Sequence, residues 1–233
     1  MEKPYKEIEK ITDSGTIIKQ KFCGEKLIYE TLFYKDGRKV EKDYLNRKEK
    51  TYYANGNLKA ETYYLPSVPL DEVEYYFKSG YPGDPSLRFG TFYYENGKLF
   101  KQTEFLENGD KSYKDYYNTG ILKREGIEKK INDTLEVKEY FKSGELKEEF
   151  CFYAESWDTD KIEYYKSGKM KTKIVVKGKY LLKKEKYYRT GELEYIQTYD
   201  YIDEYDVLKH KKTALKHEIY YKKDGSVANE IHY

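Results

Sequence analysis

Cysteine, histidine and long apolar runs are what this sequence has least of. Its two cysteines, Cys23 and Cys151, lie far apart and each stands beside a phenylalanine. That placement argues against a disulfide framework or a cysteine-based zinc site and fits a reducing compartment. The three histidines, His210, His217 and His232, make no sequence spacing that a zinc or catalytic motif requires. No segment approaches the roughly 20 apolar residues that cross a bilayer, and Met1 to Lys10 carries no apolar signal core. The expectation is a cytoplasmic protein without membrane insertion. Charge of one sign is lacking too: 44 basic against 42 acidic residues leave a net +2, too weak a field to steer nucleic acid.

Catalytic motifs are also missing. The sequence contains no Gly-x-Ser-x-Gly, no phosphate-cradling loop and no dinucleotide fingerprint. Carboxylates are so numerous that no pair is singled out for acid–base work. The acidic stretch Asp200, Asp203, Glu204, Asp206 lacks the central glycine and terminal glutamate of a calcium loop. We therefore expect no catalytic residues, no cofactor, no metal site and no enzyme activity.

What is abundant is tyrosine, with 30 of them beside 10 phenylalanines and one tryptophan. They recur with a glycine at Gly15, Gly37, Gly56, Gly80, Gly97, Gly120, Gly144, Gly168, Gly191 and Gly225. In most units two aromatics stand four and three residues before the glycine, as in Tyr52-Tyr53, Tyr116-Tyr117 and Tyr164-Tyr165, and Leu or Met follows two residues after it. A fixed period of this kind marks a repeat architecture.

The residue before the glycine is Asn, Asp, Ser or Thr, and Asn-Gly or Asp-Gly is a signal for a two-residue type I′ hairpin. With Asn55-Gly56 as such a turn, Tyr53 would face Leu58 and Tyr52 would face Lys59. One aromatic of each pair would then be core and the other would lie among charges. Second-edge turns are expected at Gly24, Asn46, Gly90, Asn108-Gly109, Asn132-Asp133 and Gly178. The fold expected is all-β: an elongated, twisted antiparallel meander of tandem β-hairpins, eighteen to twenty strands in one repeat domain over residues 1–233. The end units are irregular, since Gly15 lacks the aromatic pair and the Gly225 unit has one extra residue before its glycine.

Units such as Tyr52-Tyr53-Ala54-Asn55-Gly56-Asn57-Leu58-Lys59 and Tyr116-Tyr117-Asn118-Thr119-Gly120-Ile121-Leu122-Lys123 resemble the bacterial variant of the MORN repeat. Members of that group are often labelled as the YwqK type of antitoxin. The resemblance implies a bacterial, non-catalytic protein that neutralises a toxin by binding it; the rival reading is a structural or surface-assembly scaffold, self-associating through edge strands.

Interruptions of the repeat are where a partner-specific surface is expected. Leu65 to Asp71, Ala154 to Asp160 and Asp200 to Lys212 fall between hairpins on one edge, and Tyr81 to Ser86 enlarges a glycine turn on the other. The candidate protein-binding residues are Leu70, Trp157, Asp158, Tyr201, Asp203 and Tyr205, with the sole tryptophan as anchor in an acidic rim. The bland alternative has Trp157 folded back over a neighbouring strand. The three same-edge segments are expected to form one contiguous surface.

Overall fold

Alternating polar and aromatic residues punctuated by glycine build strands and almost nothing else. The computed structural model describes residues 4–65, 68, 69, 72, 73, 88–178, 180–201 and 213–233. Its strands are β1 (Tyr5–Ile11), β2 (Ile17–Cys23), β3 (Lys26–Phe33), β4 (Lys39–Asp43), β5 (Lys48–Tyr52), β6 (Leu58–Tyr64), β7 (Arg88–Tyr93), β8 (Leu99–Phe105) and β9 (Lys111–Tyr116). They continue as β10 (Leu122–Lys129), β11 (Thr134–Tyr140), β12 (Leu146–Tyr153), β13 (Asp158–Tyr164), β14 (Met170–Lys177), β15 (Tyr180–Tyr187), β16 (Leu193–Tyr201), β17 (Thr213–Tyr221) and β18 (Val227–His232). All eighteen are strands of antiparallel sheet. Helical backbone among the described residues is confined to Glu72 and Val73.

Two compact units divide the chain: Met1–Phe105 with Asp115–Gly120, and Leu106–Lys114 with Ile121–Tyr233. In the first, consecutive strands pair from β1 to β8. In the second, they pair from β10 to β18.

The glycine turns differ from the two-residue form expected. In the β5–β6 hairpin the Tyr53 amide donates to the Asn57 carbonyl at 2.9 Å and the Gly56 amide to the Tyr53 carbonyl at 3.0 Å. Of the three loop residues between them only Gly56 has a positive φ, 86°. A type I′ turn needs two such residues; one matches a three-residue loop with a left-handed glycine and its bulge. The register shifts accordingly, so that Tyr52 faces Leu58. The same bonds close the turns at Gly37, Gly97, Gly144, Gly168, Gly191 and Gly225, and also the Leu106–Asp110 turn.

The Asn or Asp before the glycine serves a different purpose from the one its dipeptide suggests. Asn55 Oδ1 accepts the Asn57 amide at 2.9 Å, Asn96 Oδ1 the Lys98 amide at 3.0 Å, and Asp224 Oδ1 the Ser226 amide at 2.9 Å. A short side-chain acceptor satisfies the backbone donor that leaves the turn.

In the described units both aromatics are half-buried, apart from the exposed Phe33, so neither is the core residue expected. They differ by partner. The second donates its hydroxyl to a main-chain carbonyl of the next unit: Tyr53 to Tyr93 at 2.9 Å, Tyr94 to Tyr116 at 2.8 Å, Tyr165 to Tyr187 at 2.9 Å and Tyr188 to Tyr221 at 3.0 Å. The first donates to a carboxylate, as Tyr52 does to Glu41 at 2.9 Å, Tyr140 to Glu125 at 2.6 Å and Tyr187 to Glu185 at 2.8 Å. The last unit is of ordinary length: Lys222 opens its turn, where other units have the second aromatic, and Tyr221 takes the first position.

Gly90 is a correction of another kind. It lies inside β7, opposite Thr62 and Thr103, and not at a turn. A Cβ there would stand 2.1 Å from the Glu61 carbonyl oxygen, so the strands approach as closely as they do because the residue is glycine. Since β6 pairs directly with β7, no described hairpin corresponds to Gly80, which lies outside the described residues together with Tyr81 to Ser86.

One apolar cluster forms in the first unit: Leu27, Tyr44, Tyr64, Val68 and Val73, with Phe22 and Leu65 against it. Val68 comes from the segment that interrupts the repeat, and Val73, two residues beyond it, is completely buried. The described part of that segment thus turns inward, held by the Arg47 guanidinium, which donates to the carbonyls of Leu65 (3.2 Å) and Val68. In the second unit Val137 is the one buried aliphatic among the described residues. There the sheet is held by its ladder and by half-buried tyrosines.

Candidate interaction surface

Three hairpins close through four-residue turns of one kind: Tyr44-Leu45-Asn46-Arg47, Lys130-Ile131-Asn132-Asp133 and Ala154-Glu155-Ser156-Trp157. The fourth residue of each is left-handed, with φ of 54° at Arg47, 43° at Asp133 and 58° at Trp157. Ala154 to Asp160 is therefore no insertion. Its first four residues are an ordinary turn of this protein, and Asp158, Thr159 and Asp160 pair with Tyr153, Phe152 and Cys151.

Trp157 packs edge-on against Phe152, with ring centroids 6.1 Å apart at 87°, and 68% of it remains exposed. The indole touches its own hairpin without being covered by it. In the preceding turn of the same edge Ile131 is 93% exposed, and Tyr153, at the end of β12, is exposed as well. The Tyr153 hydroxyl is pushed above its ordinary pKa, first by the hydrogen bond with the Cys151 thiol two residues back on its strand. Glu155 and Ser156 complete the turn, both exposed.

Asp158 performs structural work beside Trp157. Its carboxylate accepts from Lys177 Nζ at 2.9 Å and from the Gly178 amide at 2.8 Å, and these donors hold its pKa below the usual carboxylate range, Lys177 foremost. The Ala154 amide donates to the Asp133 carbonyl at 3.1 Å, and the Lys130 amide to Asp110 Oδ1 at 3.0 Å. The turns of this edge in the second unit are thus stitched one to the next, which fixes the spacing between Ile131 and Trp157.

Tyr201 ends β16, its backbone paired with Thr213. Leu70, Asp203 and Tyr205 lie outside the described residues, as does the side chain of Tyr201. Of the acidic stretch, Asp200 pairs with Lys216 at 2.8 Å. Ile131 was the residue missed; its signal was an isoleucine between Lys130 and Asn132 at an expected turn.

One group of side chains among the described residues has donor atoms suited to a metal: His217, Glu230 and His232, all within 4.8 Å of one another. No local sequence spacing announces it, because the β17–β18 register is what sets His217 opposite His232.

Comparison with known proteins yields a repeat family and little else. The family model of the MORN repeat variant matches residues 48–65 and 90–109, the first being the β5–β6 hairpin and the second running from Gly90 through β8 to Gly109. The matched repeat is a non-catalytic type, found in proteins that bind other molecules. No curated protein matches the chain. Among solved structures, the TCP10 domain of Danio rerio CPAP, in complex with a peptide of Danio rerio STIL, aligns over 98% of this chain and 100% of its own, at 13% identity and a TM-score of 0.25. A structure of TcdB2-TccC3-Cdc42 aligns over 97% of this chain and 14% of its own, at 9% identity and a TM-score of 0.24. Superpositions that loose bear no functional comparison.

Proposed function

We propose that this protein is a non-catalytic binder that neutralises a protein toxin by covering it, and that the edge bearing Ile131, Tyr153 and Trp157 is its contact surface. The observation that carries the reading is Trp157 itself. A bulky side chain in a left-handed turn position is uncommon and costs conformational energy, yet here the indole is mostly exposed and gains little packing in return. Large aromatics kept in water beside a second exposed apolar residue are typical of protein contact sites. The stitched turns hold these residues in place before binding, which lowers the ordering cost of association. Resemblance to the antitoxin-labelled repeat group supplies the kind of partner.

The experiment is capture of partners from native lysate by the tagged protein, then reassembly of the purified pair and its affinity with Trp157→Ala, with Ile131→Ser and with both. A single stoichiometric partner whose toxicity is abolished in the complex, and whose binding falls at least about tenfold in the double variant, supports the proposal. A partner bound equally by the double variant removes this edge from consideration. Recovery of copies of the chain alone removes the toxin-neutralising reading.

A further inference from the structure

We infer that the β17–β18 hairpin carries a binding site for a divalent transition-metal ion, formed by His217, Glu230 and His232. The register places His217 directly across from His232 and Ile219 across from Glu230. Side chains alternate along a strand, so His232 and Glu230, two residues apart, share one face with His217. The two imidazole rings stack at 4.1 Å between centroids and 9° between planes. Their Nε2 atoms converge on one atom, Glu230 Oε1, at 2.8 Å from His217 and 3.3 Å from His232.

Two imidazole nitrogens and a carboxylate oxygen form a donor set for zinc, nickel, copper or cobalt, and a poor one for calcium or magnesium, which take oxygen alone. Metal–donor bonds of about 2.0–2.2 Å place neighbouring donors of a tetrahedral site a little over 3 Å apart. The two separations from Glu230 Oε1 are already close to that, and the stacked rings must turn out of parallel for both nitrogen lone pairs to point at one ion. His217 is largely covered, whereas Glu230 and His232 face solvent. An ion has a path in, and water can fill the remaining coordination positions. The strands fix the ligands on both sides of the Lys222–Ser226 turn, so a bound ion ties β17 to β18.

The test titrates zinc chloride into the full-length protein by calorimetry, with the substitutions His217→Gln, His232→Gln, His210→Gln and Cys23→Ser/Cys151→Ser, and follows circular dichroism to verify that each variant is folded. The result expected is one zinc ion per chain, binding weakened at least about tenfold by either His217→Gln or His232→Gln, and binding unchanged by His210→Gln or by the cysteine pair. Glu230→Gln supplies a second readout: the rise in melting temperature that zinc gives the parent protein should disappear. Copper(II) in place of zinc should show coupling to two imidazole nitrogens by electron paramagnetic resonance. Absence of binding, binding indifferent to the hairpin histidines, or binding lost with His210 or the cysteines overturns the site.

Discussion

The Tyr165 hydroxyl donates to the Tyr187 carbonyl at 2.9 Å, linking one hairpin to the next across two strands. The same bond recurs at Tyr53, Tyr94 and Tyr188, but the equivalent ring at Phe141 has no hydroxyl to give. Tyr165→Phe should therefore lower stability by about 0.5–1.5 kcal/mol, the usual net value of one hydrogen bond. Phe141→Tyr should leave stability unchanged or raise it by up to about 1 kcal/mol. Urea unfolding followed by far-UV circular dichroism measures both, and an unaffected Tyr165→Phe midpoint would show that the rings act by packing alone.

Stability should fall away in alkali. Burial, then the hydrogen bond to a neighbouring carboxylate, pushes the hydroxyls of Tyr52, Tyr140, Tyr164 and Tyr187 up to about 12, from an ordinary 10.0. A group whose folded pKa is raised contributes stability that is complete below its unfolded value and is lost as pH climbs through the folded one. The window is thus pH 10 to about 12. Phenolate absorbance and circular dichroism recorded together should change in one cooperative step there. Separate steps, with phenolate formed before structure is lost, would contradict the protection ascribed to these rings.

The opposite sign applies to their acidic neighbours. Hydrogen bonds from Thr172 and Lys161 keep Glu163 below its ordinary 4.5. Glu41 is held low by Lys39 and Tyr52, against the burial that acts the other way. Such carboxylates stabilise the fold above their unfolded pKa and cease to do so as pH falls through the folded value. The melting temperature should be flat at neutral pH and decline below about pH 4.5, which thermal melts across a pH series would reveal.

Glycine and tyrosine made the meander legible in the sequence, because a left-handed turn residue and a half-covered sheet each demand a particular side chain. Turn geometry was not legible from dipeptides. Asn55-Gly56 suggests a type I′ turn until Asn55 Oδ1 is seen accepting the Asn57 amide. Gly90 has the spacing of a turn glycine, and only the close approach of Glu61 shows it to be a strand residue. Trp157 stood out by its rarity, whereas its place in a turn equivalent to Tyr44–Arg47 depended on φ angles that no composition announces. The His217–His232 pair was hidden for a related reason, since contact across a hairpin depends on register and not on local spacing.

The stretch that follows β6 in the first unit should behave as core. Val73 is fully buried against the cluster of Leu27, Tyr44, Tyr64 and Val68. Val73→Ala removes two methyl groups and leaves a cavity, at an expected cost of about 1–3 kcal/mol. Chemical denaturation gives the number. A loss below about 0.5 kcal/mol would mean that the segment is merely laid on the sheet.

Trp157 should be worth more to binding than to folding. Its φ of 58° is one that glycine adopts without penalty and an aromatic residue rarely does. Trp157→Gly relieves that conformation while losing one edge contact with Phe152, a contact worth about 0.5–1.5 kcal/mol. The two effects are of similar size, so the melting temperature should move by no more than a few degrees in either direction. Affinity for the partner should fall at least about tenfold if the indole is an anchor. A large loss of stability in Trp157→Gly would instead make the indole a fold element of the β12–β13 hairpin, and its exposure would then say nothing about a partner.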